Sequence, residues 1–520
     1  MSLGARFFLA VGVAVLVAVG CGTSAPRGFS SSSSSDDAGS PPLLGDGATP
    51  ILGNGSDAGP TSGPSCPAGL QCNASCSGGA TTTLSGTVYD PAARHPLYNV
   101  TVYVPSSPLT PLPKGIPSAA DACACSALFQ SGALTSTATG VDGTFQLTNV
   151  PVGANVPLVL QIGKWRRALS VPVTACQDNP QPDKSLALPS SVGAANPDDN
   201  LPDIAVSTGE ADSLECLMRR IGLPASEYVA GAGGSGHVHV FSGGRVGAGS
   251  GPDGGKGSEV GKAEPHGMPG APASDQALWS SAAQLAPYDI LLLSCEGGET
   301  YNANPSVLEA YLNAGGRAFA SHFHYAWFTG PLGTGQSYSA PADWGANLAS
   351  WSTDSAGGGC GMGGGSAIGG SIVQTLNGGT APFAKGHALA QWLGVVGALG
   401  QDGVPATDLS IYQPRFNAQV SASNAPSQPW ITSGACTMYF SFDTPVNAPV
   451  GDGGVPLYCG RAVFSDLHVA GNPLTQDAPP PPGGCADTDL SPQEKALEFM
   501  LFDLSSCVIP DSQPPPSRIP

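Results

Sequence analysis

The sequence predicts a multidomain protein in which an all-β sandwich precedes an α/β domain built on a parallel sheet. The α/β prediction rests on one segment: the apolar run "YDILLLSCEGGE" from Tyr288, a stretch with helical spacing, a Gly-Gly break and the run "RAFASHFHYAW" to Trp327. A strand, a crossover helix and a second strand in this order form a parallel sheet, whose ligand groups collect at the carboxyl ends of the strands. The all-β prediction rests on short runs punctuated by Gly and Pro between residues 66 and 190.

Residues 1–21 predict export from the cytoplasm. One positive charge at Arg6 precedes an apolar run that is too short to span a bilayer comfortably. The order Ala-Val-Gly before Cys21 is similar to the lipobox of bacterial lipoproteins, although Ala18 stands where a branched residue is usual. The resemblance implies a lipid anchor on Cys21 and a place in the outer membrane or at the cell surface. An ordinary cleaved secretory signal is the alternative.

Residues 22–65 predict a flexible tether. The segment consists mainly of Ser, Gly, Pro and Asp and includes a run of six serines from Ser30 to Ser35. Such a composition buries too little apolar surface to offset its ordering entropy. The tether would hold the folded part away from the membrane.

The cysteine content also favours export. The chain has 14 Cys, which is more than a reducing cytosol usually tolerates, so most should form disulfides. Lipidation of Cys21 would leave an odd number, so that one thiol is free or pairs between chains, or else the lipidation prediction is wrong.

The charge balance argues against nucleic acid as a partner. Only 11% of the residues are charged, and the net charge is −19. Neutralising phosphates requires a basic surface, which this chain lacks. Small molecules, glycans and the membrane remain as partners.

Residues 66–190 carry strand patterns such as "TLSGTVYD", "NVTVYVP" and "VPLVLQIG". The motifs Gly86-x-Val88-x-Asp90 and Asp142-Gly143-x-Phe145 resemble the carboxypeptidase regulatory-like family. The resemblance implies a transthyretin-like β-sandwich that acts as a non-catalytic spacer. Six thiols in this part allow 15 pairings, which the sequence leaves open; a zinc site is the less favoured alternative to disulfides.

Residues 201–508 have a pattern of alternating strands and helices. "DIAVSTG" predicts a strand, "EADSLECLMRRIG" a helix closed by Gly222, and "HVHVFSG" and "GRAVFSDLHV" further strands. A C-terminal helix begins at "LSPQEKALEF", with Ser491 as N-cap, Pro492 at the first helical position and Glu494 at the third. Residues 509–520 form a Pro-rich tail.

This order of elements resembles the flavodoxin-like fold of the class I glutamine amidotransferases, and within it the trehalose-utilisation (ThuA-like) family. In amidotransferases, a nucleophilic Cys lies at the sharp turn after the strand that here has the sequence "GGRAFAS". At this turn the sequence has Ser321-His322-Phe323 and no Cys. A glutaminase mechanism is therefore disfavoured.

The candidate site residues lie at predicted strand ends. His322 and His324 should share one face by strand alternation, and His468, with Asp466 two residues earlier, ends a later strand. With Glu296 they predict either a catalytic acid–base group or a metal site; structural histidines are the alternative. No cofactor is required otherwise.

Three further groups have both a functional and a structural interpretation. Cys295 would be a nucleophile beside Glu296 and a nearby His or, preferably, the disulfide partner of Cys216, because Cys216 and Cys295 should lie near one sheet edge. Trp327, with Trp344 and Trp351, would form the floor of a sugar-binding site or simply pack in the hydrophobic core. His237 and His239 would bind a ligand or line an edge strand.

Two functions follow. The favoured one is a cell-surface lipoprotein whose amidotransferase-like domain lacks the nucleophile and binds a small molecule or carbohydrate without catalysis. The alternative is an exported hydrolase or isomerase that acts on a carbohydrate-like substrate through His322, His468 and Glu296.

Overall fold

The structure of the chain is a computed structural model, in which residues 62–520 form one compact unit. The signal, the lipidation site and the tether lie outside the described residues. The structure describes residues 66–116, 123–209, 212–243, 268–299, 304–332, 340–353, 367–412, 414–451, 454–468 and 481–516.

The first part of the described chain contains only strands and short 3-10 turns. The strands are β1 (Thr83–Tyr89), β2 (Thr101–Pro105), β3 (Ala133–Ala138), β4 (Thr144–Thr148), β5 (Gly153–Ile162), β6 (Trp165–Val173), β7 (Asp178–Pro180) and β8 (Leu186–Ala187). They form two four-stranded sheets, one in the order β3-β2-β5-β6 and one in which β1 pairs with β4, β7 and β8. Alternation in β4 buries Phe145 and Leu147, and these residues join Val102 and Leu160 of the other sheet in one hydrophobic cluster. The all-β prediction is confirmed; its transthyretin-like identity stays a prediction.

The second part is built on a ten-stranded sheet. Its strands are β9 (Ile204–Ser207), β10 (Tyr228–Ala230), β11 (Val238–Phe241), β12 (Ile290–Leu293), β13 (Arg317–Ser321), β15 (Ile368–Ile372), β16 (Leu409–Ile411), β18 (Ser427–Ser433), β19 (Cys436–Thr444) and β20 (Gly460–Ser465); β14 (Ser350–Trp351) pairs separately with β17 (Ala418–Gln419). The order across the sheet is β10-β11-β9-β12-β13-β20-β19-β18-β15-β16. The strands from β10 to β20 in this order are parallel, and those from β20 to β16 are antiparallel. The α/β prediction is thus confirmed, but the sheet is mixed rather than wholly parallel.

The structure contains seven α-helices among the described residues, and the last one begins where local chemistry predicts. They are α1 (Leu214–Arg220), α2 (Ser274–Ala277), α3 (Ala282–Leu285), α4 (Ser306–Asn313), α5 (Ala326–Thr329), α6 (Ala384–Val395) and α7 (Pro492–Ser505). The last helix has the predicted capping box, in which Ser491 Oγ accepts the Glu494 N–H and the Glu494 carboxylate accepts the Ser491 N–H. Gly222, at φ 112°, follows the first helix, in a conformation that favours glycine.

Disulfides join distant parts of the chain. Cys123–Cys459 and Cys125–Cys507 connect the all-β part to the α/β part, and the remaining bridges between described residues are Cys66–Cys72, Cys76–Cys176 and Cys216–Cys485. All six thiols of the first part are therefore oxidised, as predicted, and this number of bridges indicates an oxidising compartment.

The predicted disulfide between Cys216 and Cys295 is wrong. Cys216 is bonded to Cys485, and Cys295 is a buried thiol outside any disulfide. The reason is the direction of α1, which carries Cys216 toward the segment before α7. There Arg220 also contacts Asp489 and Glu494.

Among the described residues, no helix combines the length and the apolar character that crossing a bilayer requires.

Candidate functional site

Three adjacent parallel strands deliver the candidate site. β12, β13 and β20 are neighbours in the sheet, and Ser321 at the end of β13 lies opposite Ser465 at the end of β20. Residues that follow these strands therefore meet at one edge. Cys295, His322 and His468 are brought together there, each with at most 2% of its surface exposed.

The three side chains form a compact cluster. His322 Nδ1 lies 3.1 Å from Cys295 Sγ and 3.2 Å from His468 Nε2. One ligand atom from each residue can be chosen so that all three lie within 4.8 Å of one another. This separation is suited to a single shared ion or to a hydrogen-bonded group.

The backbone around the cluster fixes the orientation of the side chains. His322 begins a short 3-10 helix (His322–Tyr325) directly after β13 and has a φ of 46°, a conformation that is uncommon for a non-glycine residue. The Cys295 N–H donates to Ser321 Oγ at 3.0 Å, and the Gly297 N–H donates to Cys295 Sγ at 3.4 Å. His322 thus occupies the sharp turn at which the amidotransferase resemblance places the nucleophile.

Burial keeps Cys295 and His468 uncharged. It raises the pKa of the Cys295 thiol to about 12, so the thiol is protonated at neutral pH. Burial, with smaller effects from His322 and Arg415, holds the pKa of His468 well below its usual range. The site therefore presents a thiol and a neutral imidazole, and a bound cation would displace the thiol proton.

His468 is held through its backbone and one ring nitrogen. Gln493 Nε2 at the start of α7 donates to the His468 carbonyl. His468 Nδ1 is buried and has no hydrogen-bond partner among the described residues, while Nε2 faces His322. Its position is therefore set by α7 as well as by β20.

Glu296 and His324 form a second, adjoining pair. His324 Nε2 donates to the Ser294 carbonyl at 2.9 Å and lies 3.9 Å from Glu296 Oε1, while Ser207 Oγ lies 3.4 Å from the same oxygen. The strand-alternation argument for His322 and His324 is wrong, because β13 ends at Ser321 and both residues lie in the 3-10 helix. His322 consequently contacts Cys295, and His324 contacts Ser294.

The other candidates have structural contacts. Asp466 Oδ2 accepts the N–H groups of Asn417 at 2.8 Å and Ala418 at 3.1 Å, which positions the chain before β17. Trp327 is buried with its ring 5.7 Å from that of Trp279. Trp344 and Trp351 make ring contacts with Phe328. These tryptophans contribute to an aromatic core.

His237 and His239 also have structural contacts. His237 Nδ1 lies 2.7 Å from Glu227 Oε2, and His239 Nε2 lies 3.5 Å from Asp203 Oδ1. The edge-strand interpretation is wrong, because His237 directly precedes β11 and His239 lies within it, and β11 is paired with β10 on one side and β9 on the other.

The proximity of Cys295 to a histidine belongs to the less favoured of the two interpretations that the sequence offered for this thiol. The sequence signal for this contact is the position of each residue just after a strand. Cys295 lies two residues after β12, and His322 lies one residue after β13. This signal was outweighed by the expectation that an exported Cys is oxidised.

No family model matches the chain, and no curated protein and no solved structure match it either. The two family resemblances stay predictions, and function is inferred from the geometry of the site.

Proposed function

We propose that this chain is an exported protein that binds a transition-metal ion, Zn²⁺ or copper, through Cys295, His322 and His468. The observation that supports the proposal is the convergence of one thiol and two imidazoles within 4.8 Å at a buried sheet edge. Thiolate and imidazole are preferred ligands of these metals.

The spacing of the ligand atoms fits such an ion. With metal–ligand bonds of about 2.0–2.3 Å, the edges of a tetrahedral site are about 3.4–3.6 Å. The two measured separations of 3.1 and 3.2 Å differ from these edges by only a few tenths of an ångström. Along these two edges, little movement would therefore be needed to admit the ion.

Three protein ligands leave one coordination position for an exogenous ligand. A small molecule or carbohydrate bound by this protein would reach the ion there. Metal-dependent hydrolysis or isomerisation is the second candidate, supported by the carboxylate of Glu296 next to the Cys295 ligand.

The metal proposal is tested with the full-length chain, kept oxidised, stripped with a chelator and reloaded with Zn²⁺. We expect Cys295→Ser, His322→Ala and His468→Ala each to lower the bound metal by one equivalent per chain. In Co²⁺-loaded protein, Cys295→Ser should also remove the thiolate-to-metal absorption band. His237→Ala, which removes a histidine directly before β11 and outside the cluster, is the matched control and should change neither quantity.

A different result would favour a nucleophilic Cys–His pair. If the stripped protein takes up no metal and Cys295 in the folded chain reacts rapidly with iodoacetamide, the metal proposal fails. A metal site predicts slow alkylation that becomes slower still after Zn²⁺ is added.

The lipid anchor is a separate part of the proposal, supported by the residues around Cys21. Cys21→Ala should release the protein from membranes, since a buried acyl chain contributes about 0.8 kcal/mol per methylene. The measurement is fractionation of cells that express the wild type or the variant. Equal membrane association of the two would contradict the anchor and leave the metal proposal intact.

A further inference from the structure

A second cluster of ligand-type side chains lies between the all-β part and the last helix. Asp90 directly follows β1, His95 lies in the turn after it, and Glu498 projects from α7. All three are buried, with exposures of 1%, 6% and 0%. The cluster is remote from β12, β13 and β20 in the chain and uses none of the residues of the Cys295 site.

The ligand atoms converge on one point. His95 Nδ1 lies 2.7 Å from Glu498 Oε2 and 4.0 Å from Asp90 Oδ2. One atom from each of the three residues lies within 4.8 Å of the other two. The arrangement offers two carboxylates and one imidazole to a single ion.

Each carboxylate has one oxygen that is not used by the described part of the protein. Asp90 Oδ1 accepts the N–H groups of Arg94 at 2.6 Å and His95 at 3.2 Å, which fixes the plane of the carboxylate. Asp90 Oδ2 and Glu498 Oε1 are buried and have no hydrogen-bond partner among the described residues. Buried carboxylate oxygens without a partner are costly unless a cation or a proton compensates them.

His95 is oriented as metal-bound histidines usually are. Its Nε2 lies 3.1 Å from Asp489 Oδ1, to which an Nε2–H can donate, and its Nδ1 is hydrogen-bonded to Glu498 Oε2 at 2.7 Å. A cation that displaced the proton of this hydrogen bond would receive the Nδ1 lone pair and the carboxylates of Asp90 and Glu498. A carboxylate that holds the far nitrogen of a ligating histidine is the common outer shell of such sites.

The neighbouring cations are paired outside the cluster. Arg94 Nη2 lies 3.1 Å from Asp487 Oδ1, and Lys495 Nζ lies 3.3 Å from Asp489 Oδ2. A surface cleft lined by Arg94, His95, Asp489 and Lys495 gives a route from solvent to the imidazole.

We propose that Asp90, His95 and Glu498 form a second metal site, which binds a divalent transition-metal cation and joins the all-β part to α7. The ligand set is harder than that of the Cys295 site, because two carboxylates replace the thiol and one imidazole. Zn²⁺ and Mn²⁺ both suit two oxygens and a nitrogen, whereas Cu⁺ prefers the thiol-containing site.

The experiment uses the full chain with Cys295→Ser and His322→Ala, so that only the second site remains. After treatment with a chelator, this protein should bind one equivalent of Zn²⁺ or Mn²⁺. Adding Asp90→Asn or Glu498→Gln should abolish that equivalent, because each amide keeps the shape of the side chain and removes a ligand oxygen. Asp489→Asn should weaken binding about 10–100-fold.

Asp487→Asn is the matched control. Like Asp489→Asn, it removes one negative charge from the segment before α7. Among the described residues, however, the ion pair of Asp487 is with Arg94, so metal binding should be unchanged. An equivalent of metal that survives Asp90→Asn, or the absence of any bound metal in the starting protein, overturns the proposal.

A second measurement needs no variant. Crystals of the native protein grown with Zn²⁺ should show an anomalous difference peak between His95 Nδ1 and the two carboxylates. Well-ordered side chains without a peak at this position would contradict the site, whatever is found at Cys295.

Discussion

The two ends of strand β20 bury polar groups in opposite ways. Arg461 lies at the amino end, and His468 follows the carboxyl end. Both residues are nearly inaccessible to solvent. At the amino end, the polar atoms of Arg461 are paired with side chains of the same protein. At the carboxyl end, His468 belongs to the compact cluster of ligand-type atoms described above.

At the amino end, Arg461 is surrounded by carboxylates. Its guanidinium donates two hydrogen bonds to Asp443, at 2.7 and 3.2 Å, and one each to Asp503 at 3.0 Å and Asp511 at 2.9 Å. Lys385 Nζ lies 2.8 Å from the second oxygen of Asp503. Burial lowers the pKa of Arg461, but the three carboxylates together raise it well above its usual value.

At the carboxyl end, no carboxylate is hydrogen-bonded to His468 among the described residues, and its Nδ1 has no partner there. The contrast teaches that a buried polar group need not indicate function. A saturated network such as that of Arg461 supports the fold. A compact set of ligand-type atoms, such as that of Cys295, His322 and His468, points to a ligand.

The largest expected effect is the loss of stability when the Arg461 network at the amino end of β20 is disrupted. Arg461→Met should lower the free energy of unfolding by about 3–5 kcal/mol, because Asp443 and Asp511 would then be buried without a cation. Denaturant unfolding of the metal-free protein measures this change. Arg94→Met, which removes a partly exposed ion pair with Asp487, is the control and should cost no more than about 1 kcal/mol. Equal losses of unfolding free energy in Arg461→Met and Arg94→Met would contradict the distinction between the buried network and a partly exposed ion pair.

A smaller effect is expected at the ligand end. His468→Ala should cost about 1–2 kcal/mol in metal-free protein, since it removes a buried ring but no charge pair. It should also abolish the additional stability that Zn²⁺ gives through this site. Unfolding curves with and without Zn²⁺ separate the two contributions. A loss as large as that of Arg461→Met, with the Zn²⁺ effect retained, would mark His468 as structural.

Helix α7 connects the two ends, which allows a sharper test. Gln493 near its start donates to the His468 carbonyl and accepts the Tyr412 N–H at 2.7 Å, while Asp503 near its end contacts Arg461. Gln493→Ala should cost about 1–3 kcal/mol and weaken Zn²⁺ binding, because the backbone that carries His468 loses its support. Titration calorimetry and denaturation measure the two effects; unchanged affinity would show that α7 does not position the ligand.

The smallest effect concerns the cap of the same helix. Ser491→Ala should cost about 1 kcal/mol through the loss of the N-cap hydrogen bond. Metal affinity should be unchanged, since the hydrogen-bond partner of the Ser491 side chain is Glu494, which is not a proposed ligand. A drop in affinity as large as that in Gln493→Ala would mean that general loosening of α7, rather than the hydrogen bond to His468, controls the site.

Several elements of the fold follow from local sequence. Alternation predicts strands such as β4, apolar runs predict β12 and β13, and the Ser491 capping box predicts the start of α7. Each of these signals depends on a few neighbouring residues, so no knowledge of distant contacts is required. The prediction that groups gather at the carboxyl ends of β12, β13 and β20 rests on the same local reasoning, and the structure places them there.

The sequence grouped His322 with His468, but the full set of groups that meet was decided by tertiary structure. His322 and His468 are 146 residues apart, and His95 and Glu498 are 403 residues apart. Their contacts depend on strand order and on where α7 lies, neither of which has a periodic signature in sequence. Cys295 shows the same limit. Its position at the end of a strand can be predicted from local sequence. Whether its thiol contacts Cys216 or His322 depends on the direction in which α1 carries Cys216, which local sequence does not predict. The sequence thus determined the elements and the edge, and the packing of the whole chain chose the ligands.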